Sequence, residues 1–282
     1  MTSPRPDKPA PPPPPAGFLA VAGVQMVSGT DPIANCDAAA ALIAQAARGG
    51  ARLVVLPEYF CLLGRRDTDK VGLREPEGDG PLQHFLSGQA RQHGIWLIGG
   101  TVPLTSSRPS RVRNTCLVYA PDGSRAARYD KIHLFGFQRG EERFDESATI
   151  EAGRTPVVVD VEGWRIGVSV CYDLRFPELY RALSPCDLIV VPSAFTHTTG
   201  QAHWEILLRA RAIENQCYVL APAQGGLHEN GRRTWGHTLL IDPWGEIIQV
   251  LPEGPGVVAG TLQRLRIADV RRSLPALTHR IM

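Results

Sequence analysis

The chain has 282 residues, 43% of them apolar, which is enough to bury a sizeable core in one large domain or two small ones. Thirty basic residues against 28 acidic ones leave a formal net charge of +2, and no block of like charge stands out. This balance argues against nucleic acid as a partner.

The first sixteen residues are rich in proline and poor in apolar side chains, which predicts a disordered, partly polyproline tail and not a signal peptide. The apolar run that follows, residues 18–26, is too short for a membrane helix and fits a first strand better. No linker rich in proline or glycine interrupts the remainder, so we expect a single domain over residues 17–282.

Apolar runs bounded by turn residues recur along the chain and predict strands covered on both faces. Helical patterns lie between several of them, the first with Asp31 as N-cap and Gly49 as its end. Hairpin turns are predicted at Asp122-Gly123, Glu162-Gly163 and Trp244-Gly245. The predicted strands lie within 18–25, 51–58, 94–102, 166–173, 187–195 and 217–224, and the helices within 32–50, 81–94, 176–184 and 201–216. Mixed sheets with helices outside them make an α/β layered fold.

Polar residues follow three of the predicted strands at the point where each strand ends. Glu58 ends one, Cys171 ends the second, and Ser193 follows the third. Ligands of open α/β sheets bind beyond the carboxyl ends of the strands, where side chains from separate strands converge. We therefore expect Glu58 and Cys171 to be neighbours in a polar site.

A cysteine nucleophile needs help to ionise, because a free thiol is only a few per cent thiolate at neutral pH. A carboxylate such as Glu58 can take the proton, and a cation can hold the oxyanion that forms when sulfur attacks an acyl carbon. Lys131, at the end of a predicted hairpin strand, offers a compact ammonium with three donors for that position.

Three blocks in this order, LPEYF, YDKIHLFG and GVSVCYDLRFPELYR, resemble the signature blocks of the nitrilase, or carbon-nitrogen hydrolase, superfamily. The resemblance covers nearly the whole chain after the proline-rich residues. It implies a Glu-Lys-Cys triad of Glu58, Lys131 and Cys171, supported by a further glutamate, Glu146. It also implies a four-layer α-β-β-α sandwich, a homodimer, and no metal or organic cofactor.

Residues 192–224 and 235–248 resemble the Nit branch of that superfamily. The resemblance implies an amidase that hydrolyses the terminal amide of a small carboxylate-bearing compound through a cysteine thioester, releasing ammonia or an amine. Deaminated glutathione is the expected substrate. The alternatives are an ω-amidase acting on α-ketoglutaramate and a hydrolase of N-carbamoyl amides.

Four further residues are expected to contact the substrate. The backbone N–H of Tyr172 would stabilise the oxyanion together with Lys131. The planar guanidinium of Arg175 matches a substrate carboxylate in a bidentate geometry. Phe195 and Thr199, just beyond a predicted strand, would line the pocket.

Two of these assignments have structural alternatives. Arg175 could form an ion pair with Asp173 or Glu178 in place of binding substrate. His133 suggests a Cys-His pair with Cys171, but no protease-type block surrounds that cysteine, so we expect His133 to pack or hydrogen-bond beside the site.

The six cysteines are scattered and lack metal-ligand spacing, which suits reduced thiols in the cytoplasm. The predicted partner is a small amide, without nucleic acid or membrane. Two other classes remain: a scaffold protein with a silent site, and a redox sensor in which Cys171 forms a disulfide with a neighbour such as Cys186.

Overall fold

The structure, a computed structural model, describes residues 17–281, so the predicted tail over residues 1–16 lies outside the described residues. The helices are α1 (Pro32–Arg48), α2 (Asp69–Gly72), α3 (Pro81–His93), α4 (Pro177–Leu183), α5 (His197–Asn215) and α6 (Arg264–Ser273). The strands of the first half are β1 (Phe18–Gln25), β2 (Leu53–Val55), β3 (Trp96–Ile98), β4 (Val102–Thr105), β5 (Val112–Tyr119), β6 (Arg125–Asp130), β7 (Gly136–Arg139) and β8 (Glu142–Asp145). Those of the second half are β9 (Val157–Val161), β10 (Trp164–Val168), β11 (Leu188–Val190), β12 (Tyr218–Ala221), β13 (Gly225–Leu227), β14 (Arg233–Trp235), β15 (Thr238–Ile241), β16 (Ile247–Leu251) and β17 (Gly256–Gln263).

Two large mixed sheets contain most of the strands. The first has the order β17-β1-β2-β3-β5-β4, with β6 also paired to β5, and the second has the order β16-β15-β12-β11-β10-β9. Each sheet has three parallel neighbours at its centre, β1-β2-β3 in one and β10-β11-β12 in the other, and antiparallel strands outside them. The hairpins predicted at residues 122–123, 162–163 and 244–245 join β5 to β6, β9 to β10 and β15 to β16.

The two sheets pack face to face through their apolar inner faces. Alternate side chains along each strand point to opposite faces, so each strand contributes to two cores. In β1, Leu19 and Val21 belong to the core shared with the second sheet, whereas Ala22 and Val24 belong to a separate core under α1 and α3. The sheets approach closely at Gly23, where a Cβ would lie 3.0 Å from the Leu220 side chain.

Helices cover the outer face of each sheet. Ile43 of α1 and Leu86 of α3 pack on the first sheet, and Leu183 of α4 and Trp204 of α5 pack on the second. The predicted α-β-β-α sandwich is confirmed. Helix α1 has the predicted N-cap, Asp31, and C-cap, Gly49.

Helix α5 begins four residues before the predicted range. Its N-cap is Thr196, whose side chain accepts a hydrogen bond from the Thr199 N–H, so the helix starts at His197 and not at Gln201. The hydrophobic pattern alone did not reveal this cap. No helix within residues 17–281 is long and apolar enough to cross a bilayer.

The carboxyl ends of β2, β10 and β11 lie at the same edge of the sandwich, each followed by a loop that carries polar side chains. These loops supply Glu58, Cys171 and Ala194 respectively, and the loop after β6 supplies Lys131. The fold therefore brings to one place residues that are far apart in the sequence.

Candidate active site

Glu58 is almost fully buried at 1% exposure, and its carboxylate is held by three donors. Oε1 accepts hydrogen bonds from Lys131 Nζ and from Asn114 Nδ2, both at 2.9 Å, and Oε2 accepts one from the Ala194 N–H at 3.0 Å. The loop that carries Glu58 packs tightly against its neighbour: a Cβ on Gly100 would collide with the Pro57 carbonyl. The carboxylate is thus fixed in one orientation.

Lys131 lies between two carboxylates. In addition to Glu58, its Nζ contacts both oxygens of Glu146, at 3.0 and 2.8 Å. Glu146 also accepts hydrogen bonds from the Tyr59 hydroxyl at 2.7 Å and the Phe135 N–H at 2.7 Å. The Lys131 side chain is completely buried, and an ammonium removed from water requires such partners.

Cys171 follows β10 at a sharp turn. Its φ is +50°, in the left-handed region, which a residue other than glycine enters at a cost of about 1–3 kcal/mol. The turn is held by the Cys171 N–H, which donates to the Pro192 carbonyl at 3.0 Å. The Tyr172 N–H beside the thiol has no acceptor among residues 17–281. A donor of this kind is available to a ligand oxygen.

The two glutamates have different electrostatic environments. Burial raises the pKa of Glu58, and the nearby charge of Glu146 raises it further, while Lys131 opposes both effects. Burial acts in the same direction on Glu146, but Lys131, the Phe135 N–H and the Tyr59 hydroxyl outweigh it and hold the pKa of Glu146 below its usual value. Environments that separate the pKa values of two carboxyl groups indicate different roles for them.

The same cluster determines the charge states of the lysine and the thiol. Burial alone would lower the pKa of Lys131, yet Glu146 and Glu58 raise it well above its ordinary value, so the ammonium stays charged. Burial and the negative charge of Glu58 raise the pKa of the Cys171 thiol, and Lys131 opposes them. The resting thiol is therefore protonated, and it lines the same cleft as the Glu58 carboxylate.

Asp173 organises the site, although the sequence predicted no such role for it. Its fully buried carboxylate accepts hydrogen bonds from the Tyr129 hydroxyl at 2.6 Å and from the His133 and Val170 N–H groups, each at 2.9 Å. The His133 ring nitrogen Nδ1 lies 2.7 Å from the same carboxylate. Asp173 thus ties the residues on both sides of Lys131 to the turn that carries Cys171.

His133 takes the packing role expected for it, and not that of a partner to the thiol. Its ring stacks on Phe176 at 3.8 Å between centroids, and its Nδ1 is engaged by Asp173. The redox alternative receives no geometric support at Cys186, whose sulfur lies 4.0 Å from that of Cys217. Both of these cysteines are completely buried, and all six cysteines are free thiols.

A cleft of about 370 Å³ opens over Cys171 and Glu58. Its walls combine aromatic side chains, among them Phe135 and Phe144, with charged ones. This volume lies within the range of about 300–1,000 Å³ that is usual for small-molecule sites. The charged residues of the walls, apart from Glu58 and Glu146, are Arg66, Asp67, Lys70, Glu142, Asp145, Arg232 and Arg233.

The four predicted substrate contacts, Tyr172, Arg175, Phe195 and Thr199, lie together on another side of Cys171. They line a narrow space of about 10 Å³, roughly the room for one water molecule. The Arg175 guanidinium lies over the rings of Tyr172 and Phe195, at 5.6 and 5.4 Å from their centroids. It also lies 3.2 Å from His203 Nδ1.

The structural alternative for Arg175 is wrong: within residues 17–281 its guanidinium forms no ion pair with Asp173 or Glu178. The carboxylate of Asp173 is occupied by other donors, and Arg175 is turned toward aromatic faces.

Within residues 17–281, no group of three or more His, Cys, Asp or Glu side chains is arranged to hold a metal ion.

The family model of carbon-nitrogen hydrolases matches residues 20–272. The chain belongs to the carbon-nitrogen hydrolase family. It is 41% identical to the deaminated glutathione amidase of Synechocystis sp., over 94% of this chain and 98% of that protein. It is 37% identical to the omega-amidase NIT2 of Xenopus tropicalis, over 86% of this chain and 87% of that protein.

Solved structures of the family share the fold. The Caenorhabditis elegans NitFhit protein is 36% identical with a TM-score of 0.85, over 94% of this chain and 65% of that longer one. A Xanthomonas campestris member with an arsenic adduct in its active site is 32% identical with a TM-score of 0.82, over 94% of this chain and 98% of that one. A Nesterenkonia amidase mutant with acrylamide added at its active-site cysteine is 26% identical with a TM-score of 0.74, over 92% and 99%. The predicted membership of the superfamily is confirmed.

Asp173 can be tested with an Asp173→Asn variant. An amide group would turn a donor toward hydroxyl and N–H donors, leaving buried groups unpaired at a cost of about 1–3 kcal/mol. We expect a lower melting temperature and a lower kcat, because the turn of Cys171 and the segment of Lys131 lose their common anchor.

The matched control is Asp160→Asn, since Asp160 is exposed and, within residues 17–281, its side chain accepts from the Gly163 N–H alone. Calorimetry gives the melting temperature of each variant, and steady-state kinetics give its kcat. If Asp173→Asn matched the control in melting temperature and kcat, Asp173 would not organise the site.

Proposed function

We propose that the protein is an amidase that hydrolyses the amide of deaminated glutathione through a thioester on Cys171. The observation that carries the proposal is the buried cluster in which Lys131 bridges Glu58 and Glu146, beside Cys171 in one cleft. The names of the relatives support the substrate, because deaminated glutathione amidases are 41% identical over nearly the whole chain. The family supports a hydrolase of carbon-nitrogen bonds over a scaffold with a silent site.

In the first half of the proposed reaction, Glu58 accepts the thiol proton while the Cys171 sulfur bonds to the amide carbon. The carbonyl oxygen becomes an oxyanion, which the open N–H of Tyr172 and the Lys131 ammonium stabilise. Protonation of Glu58 weakens its attraction for Lys131, so a lysine proton becomes available at the moment the oxyanion forms. The carbon-nitrogen bond then breaks, and the amine leaves with the proton from Glu58.

In the second half, water replaces the amine. Glu58 takes a proton from the water molecule as the water oxygen attacks the thioester carbon. The carbon-sulfur bond then breaks, and Glu58 returns the proton to the Cys171 sulfur. Glu146 stays ionised throughout and keeps Lys131 charged and in place. This division of roles agrees with the opposite pKa shifts of the two glutamates.

An ω-amidase acting on α-ketoglutaramate is the second candidate. Relatives named omega-amidase are 37% and 38% identical over 86% of this chain, only slightly below the amidases of deaminated glutathione. Both substrates carry carboxylates beyond the scissile amide. A comparison of kcat/KM therefore decides between them.

We also propose a cytoplasmic homodimer. The six free cysteines are consistent with a reducing compartment. Two large apolar side chains of α5, Ile206 and Ile213, are 71% and 48% exposed in the single chain, which favours a second subunit over one of its faces. Sedimentation equilibrium distinguishes a dimer from a monomer.

The substrate is tested by measuring the amine or ammonia released from deaminated glutathione, α-ketoglutaramate and an N-carbamoyl amino acid. We expect the highest kcat/KM with deaminated glutathione, no turnover by Cys171→Ala, and a loss of about 10²- to 10³-fold in Lys131→Met, which removes an oxyanion donor. Turnover of the N-carbamoyl compound alone would contradict deaminated glutathione as the proposed substrate. Absence of all turnover, together with a Cys171 that iodoacetamide does not modify, would favour the scaffold.

The pH dependence tests Glu58 as the base. Glu58 must be ionised to accept the thiol proton, so kcat/KM falls as the pH is lowered through its pKa, which burial raises above the ordinary value of 4.5. In Asn114→Leu the carboxylate loses a donor that favours its ionised form, and we expect the acid limb to move to higher pH. An acid limb that Asn114→Leu leaves in place would argue against Glu58 as the titrating group.

A further inference from the structure

The charged side chains along the cleft are nearly all paired. Three arginines of its walls have an acidic partner each: Arg66 with Asp69 at 3.3 Å, Arg232 with Asp67 at 2.7 Å, and Arg233 with Glu253 at 3.4 Å. Of the acids, Glu146 is bound to Lys131, Asp145 accepts from Ser147, and Glu142 accepts from Thr198. One cation of the cleft, Lys70, stands apart from this pattern.

Lys70 is half-buried and has no carboxylate within 4 Å among residues 17–281. Its Nζ contacts the Thr149 hydroxyl at 3.3 Å and lies 5.5 Å from the centroid of the Tyr59 ring. An ammonium that has lost part of its hydration without gaining an acid is unfavourable until an anion arrives. Burial lowers the pKa of Lys70; Glu146 and Asp67, from beyond 4 Å, oppose this effect in part, and Arg232 adds to it.

The segment that carries Lys70 is held in place before any ligand binds. The Asn230 side chain donates to the carbonyls of Leu63 and Gly64, at 3.1 and 2.8 Å. The Asp69 carboxylate accepts a hydrogen bond from the Arg66 N–H at 3.0 Å. Asp69 also packs tightly against Gly64, where an added Cβ would lie 2.7 Å from the Cβ of Asp69. The backbone beside Lys70 is thus ordered before binding, which lowers the entropy lost when a ligand binds.

We propose that the Lys70 ammonium, with Arg232 beside it, binds a carboxylate of the acidic amide substrate in this cleft. The inference rests on the proposed function and adds a residue that selects acidic over neutral amides. Lys70 is a positioning residue for the substrate and does not contact the scissile bond in this account. Its Tyr59 neighbour connects it to the site, since the Tyr59 hydroxyl donates to Glu146.

The volumes favour this position over the neighbourhood of Arg175. The cleft that Lys70 lines measures about 370 Å³, whereas the space beside Arg175 measures about 10 Å³ and holds no chain of several atoms without rearrangement. Lys70 and Glu58 line the same cleft, so one bound substrate can reach both.

The test compares Lys70→Met with the wild type on three amides. α-Ketoglutaramate carries a carboxylate on its acyl chain only, deaminated glutathione carries one on the amine portion as well, and butyramide carries none. Loss of a charged hydrogen bond predicts a rise in KM of about 10- to 100-fold for acidic substrates and no change for butyramide. Lys70→Arg keeps the charge and should restore most of the binding.

The pattern of KM changes identifies which substrate carboxylate Lys70 binds. A higher KM for both acidic amides would mean that Lys70 binds the carboxylate of the acyl chain. A higher KM for deaminated glutathione alone would mean that Lys70 binds the carboxylate of the amine portion. Unchanged KM values for both, or an equal change for butyramide, would overturn the proposal. The control variant is Arg65→Met, because Arg65 is 72% exposed, is paired with Glu229 and does not line the cleft.

A second measurement separates this inference from the choice of substrate. Glutarate, a dicarboxylate without an amide, should protect Cys171 of the wild type from iodoacetamide, with protection weakened at least tenfold in Lys70→Met. That result would support the carboxylate site even if the wild type hydrolysed neither acidic amide. Equal protection of both proteins would contradict it.

Discussion

The buried ammonium of Lys131, held between the carboxylates of Glu58 and Glu146, is the interaction on which the rest of the site depends. Burying one charge without partners is prohibitive, so the ammonium and both carboxylates must assemble together. Each carboxylate then needs its own donors: Asn114 and the Ala194 N–H for one, Tyr59 and the Phe135 N–H for the other. Segments from both sheets are therefore fixed by one cation.

This cluster also supports the proposed use of a buried thiol as the nucleophile. Burial, together with the net negative charge of two carboxylates around one ammonium, raises the pKa of the Cys171 thiol and keeps it protonated at rest. In the proposed reaction the thiol loses its proton as it attacks, and Glu58 takes that proton. The left-handed turns at Tyr59 and Cys171, with φ of +56° and +50°, place the acid and the sulfur at adjoining strand ends.

Much of the fold follows from local patterns. Continuous apolar runs predicted the central parallel strands, and Asp31 and Gly49 predicted the ends of α1, because these signals depend on neighbours in sequence. The pairing of Glu58 with Cys171 followed from the rule that strand ends converge. Lys131 was a candidate cation because it ends a predicted hairpin strand. Glu146 could be joined to the site only through family resemblance, since the hairpin of β7 and β8 separates it from Lys131 in sequence.

Other features depend on contacts that no local pattern contains. Asp173 lies in a helix-like turn beside Cys171, and its importance comes from Tyr129 and His133, some forty residues away. Lys70 occurs in the polar stretch RRDTDK, which reads as a solvated surface. Its unusual position becomes visible only when the cleft is formed and the other charges are seen to be paired.

The central claim is that the reaction passes through a thioester on Cys171, and mass spectrometry of the protein quenched in acid during turnover tests it most directly. With deaminated glutathione as substrate, the account predicts an added acyl group on the peptide that contains Cys171, absent in Cys171→Ala and lost as the substrate is exhausted. Sustained turnover with unmodified Cys171, or with the acyl group on another residue, would contradict it.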